Sequence, residues 1–258
     1  MTGSQQPEPP VPSELKQLLA LNRQVPLRVV IFSGAGMSAE SGIPTFRTGS
    51  NGLWNTFNPS DLATPQAWKR DREVVWAWYE WRRGLVMQAK PHEGHIAVAD
   101  MQRRFGARVI TQNVDDLHER AGVQDILHLH GSLFSARCAA CGEAHTLGIP
   151  PEAPQFTLTP PICTRCGGYV RPGVVWFGEN LDTHFVGRAR REIAACDLLL
   201  IVGTSRVVHP AAGLVQFAPK TALTVEINPE PTKQPDRAHI QWKTTAAFGL
   251  PKVAEMLM

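Results

Sequence analysis

Apolar and β-branched residues concentrate in four stretches: "LRVVIFSGAG" from residue 27, "ARVITQN" from 107, "DLLLIVGTS" from 197 and "TALTVEINP" from 221. Each reads as a buried strand, and each ends in small or polar residues. Parallel sheets have this pattern, and their ligands gather at the carboxyl ends of the strands. Residues 92–105 and 184–196 have the length of crossover helices, and Ser13 is placed to cap a helix through "ELKQLLALNR". The pattern predicts an α/β fold, a Rossmann-like parallel sheet flanked by helices.

Two segments break the rhythm. Residues 37–91 carry "TFRTGSNGLWN" and a tryptophan-rich helix, and residues 132–171 carry two CxxC pairs and "IPPEAPQFTLTPP". Together they are expected to form a small domain beside a large one made of 13–36, 92–131 and 172–258, with a cleft between and a disordered tail over 1–12.

Composition narrows the function. The 258 residues are 43% hydrophobic and 19% charged, and the net charge of +3 is spread without a basic run, so neither nucleic acid nor an anionic membrane is an expected partner. No apolar run approaches the roughly 20 residues of a membrane span, and "MTGSQQPEPPVPSELK" lacks the features of an export signal, so a cytoplasmic location is expected. Four of the five cysteines form Cys138-x-x-Cys141 and Cys163-x-x-Cys166, with residues 142–162 between the pairs. Two such knuckles close a tetrahedral zinc site with no open position, which makes the metal structural. Arg137, Arg165 and Arg171 against Glu143 and Glu152 make a poor phosphate-binding surface, and Cys196 reads as a small buried hydrophobe.

Candidate chemistry clusters at the strand ends. Gly34, Ala35 and Gly36 end the first strand, where the backbone can approach a diphosphate and the following amides, with Ser38, can donate to it. Ala39 stands where a third glycine would, and no acidic ribose-binding residue follows at the usual distance, which disfavours a dehydrogenase. Phe46 and Arg47 follow as a lid for a nucleotide. Gln112, Asn113 and Asp115 lie just past the second strand and can fix an amide and a ribose. Of the nearby histidines, His128 alternates with apolar residues and reads as packing, and His118 as a local hydrogen-bonding residue. His130, beside Gly131 at the start of the zinc insertion, is the acid–base candidate.

In order along the chain, "GAGMSAESGIPTFR", "TQNVDDLHERAG", "HGS", the paired CxxC, "VVWFGE", "VGTS" and "EINPE" resemble the sirtuins, NAD-dependent protein deacylases, from about residue 28 to 257. The resemblance implies that NAD and an acyl-lysine meet between the two domains. Gly34, Ala35, Gly36, Ser38, Ala39 and Glu40 would line the NAD site, with Phe46 and Arg47 from the cofactor loop. Gln112, Asn113 and Asp115 would form the nicotinamide and ribose pocket, and His130 would be the base. Asn113 and Asp115 would hold the reacting groups in place. Gly203, Thr204, Ser205, Asn228, Glu230 and Ala246 would contact the adenosine half. Val174, Val175, Trp176 and Phe177 would pair with the substrate peptide as an extended strand. Arg206 and His209 depart from the family pattern at positions that could alter peptide preference.

The stretch "WAWYEWRR" over residues 76–83 reads locally as a core helix with a solvated edge. In sirtuins that prefer acidic acyl groups, a Tyr-x-x-Arg on this helix holds the distal carboxylate, and Tyr79 and Arg82 match it; guanidinium and phenol suit a carboxylate. Ala63 would leave room for a longer acyl chain. Succinyl- and malonyl-lysine are therefore expected over acetyl-lysine, with Trp76, Trp78 and Trp81 as packing and Arg83 as the solvated edge. A monomer acting on acyl-lysine proteins is expected. The competing readings are a plain deacetylase, an ADP-ribosyltransferase, and an NAD-sensing zinc-ribbon protein without chemistry.

Overall fold

The structure, a computed structural model, describes residues 9–21, 27–44, 59–230 and 240–257. Its strands are β1 (Val29–Ser33), β2 (Arg108–Thr111), β3 (Leu127–His128), β4 (Gly131–Cys138), β5 (Ala144–His145), β6 (Val170–Val174), β7 (Leu198–Val202), β8 (Leu223–Ile227) and β9 (Ile240–Trp242). Its helices are α1 (Ser13–Leu21), α2 (Pro59–Leu62), α3 (Pro65–Arg70), α4 (Arg72–Gln88), α5 (Glu93–Phe105), α6 (Leu117–Arg120), α7 (Thr183–Ala194) and α8 (Ala246–Leu257).

Six strands form one parallel sheet in the order β3-β2-β1-β7-β8-β9. The chain leaves β1 toward β2 on one side and returns at β7 on the other. At that switch point the loops diverge and open a crevice at the carboxyl edge. The four strands expected from apolar runs are β1, β2, β7 and β8, and β1 and β7 are buried at every position. Helices cover both faces. Leu15, Leu19, Val98, Met101, Leu250 and Val253 pack on one, and Ala189, Ile193, Leu214 and Val215 on the other. Each fully buried Leu, Ile or Val contributes about 1.5–3 kcal/mol.

Local sequence sets the helix starts. The Asp71 carboxylate accepts from the Val74 amide at 3.2 Å to start α4, and Asp182 accepts from His184 N at 2.7 Å to start α7. Ser13, expected as a cap, is instead the first residue of α1 and donates to Glu14.

The smaller layer joins the antiparallel sheet β5-β4-β6 to α2, α3 and α4. They share one core, in which Trp68, Trp76, Trp78 and Tyr79 meet Leu133, Val170, Val174 and Trp176. The proline-rich stretch docks on the start of α4, where Leu158 N donates to Glu73 O and Thr159 Oγ1 to Glu73 Oε1. Arg83 corrects the sequence reading: it is buried, not solvated, and its guanidinium donates to both carboxylate oxygens of Glu80, 2.5 and 3.2 Å away and also buried. Three positions along a helix put the two on one face, so each neutralises the other away from water. No helix among the described residues is long and apolar enough to cross a membrane.

Candidate active site and metal centre

The turn after β1 and the turn after β7 are locked together. Gly36 N donates to Gly203 O at 2.8 Å, and a Cβ on Gly36 would come within 2.8 Å of the Gly203 backbone. Glycine is needed here for loop against loop. The Gly34, Gly36, Met37 and Ser38 amides all donate to carbonyls of these loops or of β7, which makes the turn rigid. What the crevice offers is side chains. Asn113 Nδ2 donates to Ser38 Oγ at 3.1 Å, Ser38 Oγ to Asp115 Oδ2 at 2.9 Å, and Gln112 Nε2 to Thr204 Oγ1 at 3.1 Å. Burial pushes the Asp115 carboxyl up, while Ser38 and the Leu117 amide favour its ionised form.

His130 is held from one side. Its Nδ1 lies 2.9 Å from Gln112 O, which can only accept, so the proton is on Nδ1 and Nε2 keeps its lone pair. Burial lowers its pKa, with the Gln112 carbonyl acting in the opposite sense. Such a ring is a neutral base at pH 7. The next residue, Gly131, has φ 74°, and a Cβ there would approach Gly173 O to 2.2 Å, so glycine alone lets β4 turn away beneath the histidine.

Beneath the turn lies a histidine cluster. His92 Nε2 donates to Met37 O at 2.7 Å, and His118 Nε2 meets Ser33 Oγ at 3.1 Å. The His95 ring lies between them, with centroids 4.3 Å from His92 and 5.1 Å from His118. Burial, then the neighbouring rings, pushes His95 down to about 2, and burial pushes His118 down to about 4. His118 thus has the structural place expected of it. Arg120, at the end of α6, reaches across to α4 and donates to Val86 O at 3.0 Å and to Ala89 O. That clamp escaped the sequence reading, because Arg120 also lies 3.7 Å from Asp116 one turn back, and backbone carbonyls of another segment leave no mark in the sequence.

The inner wall of the smaller layer faces this edge. Tyr79 packs edge-on to Trp78, with centroids 4.7 Å apart, and lies 6.5 Å from Trp176, which also stacks near Trp68. Arg82 holds its guanidinium 4.9 Å from the Trp78 ring centroid and 6.0 Å from that of Tyr79. Burial raises the Tyr79 phenol to about 12, against the pull of Arg82. Burial lowers the Arg82 pKa, while Tyr79 and Asp115 favour its charge. Ala63 is buried on the same wall, and its carbonyl accepts from Phe177 N at 2.9 Å.

The run "VVWFGE" is not extended along its length. Strand β6 ends at Val174, and the chain turns at Phe177 and Gly178. Glu179 causes this: its carboxylate accepts from Trp176 N at 2.9 Å and from Arg171, whose guanidinium lies 3.3 Å over the Trp176 ring. Val175 N donates to His130 O. The amides of residues 175–177 are thus engaged within the chain. Val174 and Trp176 side chains belong to the core, and Phe177 is exposed.

The residues expected at the adenosine half spread over three loops. Asn228 Nδ2 donates to Thr204 O at 3.2 Å, and Ser205 adjoins it. Glu230 is exposed and its amide donates to Asn228 Oδ1. Ala246 is the buried first residue of α8, and Glu40 accepts from the Ala247 amide at 2.8 Å beside it; Ala39 begins the turn that carries Glu40. Phe46 and Arg47 lie outside the described residues. Arg206, expected near peptide, is buried and donates to the buried Glu226 of β8 at 2.9 Å. His209 lines a mostly apolar cavity of about 310 Å³ with Leu181, Phe217 and neighbours.

Cys138, Cys141, Cys163 and Cys166 bring their sulfurs within 4.8 Å of one another. Two of these separations are 3.4 and 3.8 Å, against the ~3.8 Å edge of a tetrahedron with Zn–S near 2.3 Å. Amides of Ala140, Cys141 and Gly168 point at the sulfurs. The donor set fits a structural zinc ion.

Fold and site together define a Rossmann-type nucleotide-binding protein with a zinc ribbon laid over the carboxyl edge of its sheet. The Sir2 family model matches residues 34–210, and the chain belongs to this family. An NAD-dependent protein deacylase of Mycobacterium leprae (strain TN) is 48% identical over 234 residues, 90% of this chain and 98% of the relative. That of Corynebacterium glutamicum is 45% identical over 228 residues, 86% of this chain and 88% of the relative. A crystal structure of a Sir2 homologue–NAD complex superposes with a TM-score of 0.85 at 39% identity, covering 98% of this chain and 96% of the other.

Proposed function

We propose that this NAD-dependent protein deacylase removes acidic acyl groups, succinyl and malonyl in preference to acetyl, from lysine side chains. The observation that carries the preference is Arg82 beside Tyr79 on the wall facing Asp115: a desolvated guanidinium next to a phenol, with the small Ala63 on the same wall. A carboxylate is the group that such a pair recognises. Gln112, Asn113 and Asp115 hold the nicotinamide and ribose, and Gly34, Ser38, Thr204 and Asn228 the rest of the dinucleotide. His130 takes a ribose hydroxyl proton through Nε2. Nicotinamide and O-acyl-ADP-ribose are the products. The chain works in the cytoplasm, a reading supported by the four-thiolate site, which suits a reducing compartment, and it acts as a monomer.

One peptide carrying acetyl-, succinyl- or malonyl-lysine tests the preference. Arg82→Met should reduce succinyl-lysine turnover at least 10-fold and acetyl-lysine turnover little. Equal losses on both would refute the role. Mass spectrometry of the products separates deacylation from ADP-ribosyl transfer, which would leave a modified protein.

A further inference from the structure

His128 stands two residues before His130, and both rings hold carbonyls of the loop after β2. His128 Nδ1 lies 2.9 Å from Asn113 O, as His130 Nδ1 lies 2.9 Å from Gln112 O. The second nitrogen separates them. His128 Nε2 is 2.6 Å from Glu119 Oε1 on α6. A carbonyl and a carboxylate both accept, so both His128 nitrogens carry protons and the ring is an imidazolium. Neighbouring histidines are thus set to opposite states: His130 neutral, His128 charged.

We propose that His128 and Glu119 form a charged dyad that positions the loop after β2, fixing the Asn113 carbonyl and setting a positive charge beside the Asp115 carboxylate. The inference rests on the proposed placing of Asn113 and Asp115 in the ribose and nicotinamide pocket. The charge distribution agrees with it. Burial opposes the His128 charge, yet Glu119, the Asn113 carbonyl and Asp115 together raise its pKa, and His128 in turn favours the ionised form of Asp115. Glu119 and His118 from α6 and Asp115 from the loop are the titratable groups whose fields connect with it. His128 is a positioning residue, since it acts through Asn113 and Asp115.

The test compares the full chain with His128→Gln, Glu119→Gln and Asp115→Asn, measuring kcat/KM for NAD against pH, with zinc content and Tm as checks of folding. His128→Gln should lower kcat/KM for NAD roughly 10–100-fold, the scale of a misplaced reacting group, and move the acid limb to higher pH as Asp115 loses its neighbouring charge. Glu119→Gln should move the alkaline limb to lower pH, because His128 then loses its second proton more readily. It keeps the ring in place should His128→Gln fail to fold. Unmoved limbs in folded variants, with Asp115→Asn impaired, would overturn the dyad. An unimpaired Asp115→Asn would instead overturn the site reading beneath it.

Discussion

Arg82 and Arg83 are adjacent, and their surroundings differ in kind. Arg82 lies against the Trp78 and Tyr79 rings, whereas Arg83 is neutralised by Glu80 inside the smaller layer. Arg83→Met would leave Glu80 buried and unpaired, so it should cost roughly 3–5 kcal/mol, read as a lower denaturant midpoint, with the succinyl-to-acetyl ratio unchanged. Sequence alone puts Arg83 on a solvated edge, because a buried ion pair and a solvated one have the same spelling. The pairing of Arg206 is likewise not spelled out in the sequence, although Glu226 in "LTVEI" hints that a partner must come from elsewhere. The sequence singles out His130 through its neighbours but not its tautomer, since that depends on a carbonyl contributed by another segment. His130→Ala should retain NAD binding by calorimetry and lose turnover about 10²-fold or more. With its pKa lowered, the wild-type base should stay active below pH 6.5.

At the scale of elements, the histidines from the start of α5 and from α6 meet under the first turn. Unfolded, His95 and His118 take up protons near pH 6.5; folded, burial delays this to about 2 and about 4. Between those values the unfolded chain binds more protons, so stability falls as pH drops below about 6.5, by up to ~1.4 kcal/mol per unit for each ring. Urea midpoints at pH 7.5 and 5.5 should show the loss, and His118→Asn should reduce its slope if the variant folds. The long strands were legible as apolar runs. Strands β3 and β9, with two and three residues, are too short to carry a period and exist because the sheet edge offers them partners. In "VVWFGE" the apolar pattern suggested extension, and a carboxylate three residues past Trp176 bends it instead.

Across the whole molecule, the ribbon and the helical insertion share one core, so the metal should be felt beyond its own loop. Removing zinc with a strong chelator should release one ion per chain and abolish deacylation, with the change also visible in tryptophan fluorescence from Trp68 and Trp176. The apolar strands of the main sheet and a small layer beside it are expected from the sequence, but the strand order and the contacts that seat the layer are not, because they depend on segments far apart in the chain. Arg120 is one such contact. It belongs to the segment that begins with Gln112, Asn113 and Asp115, and it grips the carboxyl end of α4, which carries Tyr79 and Arg82. On the proposed placing of NAD and acyl-lysine, a clamp that transmits order couples the two sites, and thermodynamic reciprocity then requires each ligand to raise affinity for the other by the same factor. One side chain then makes two binding steps a single linked equilibrium.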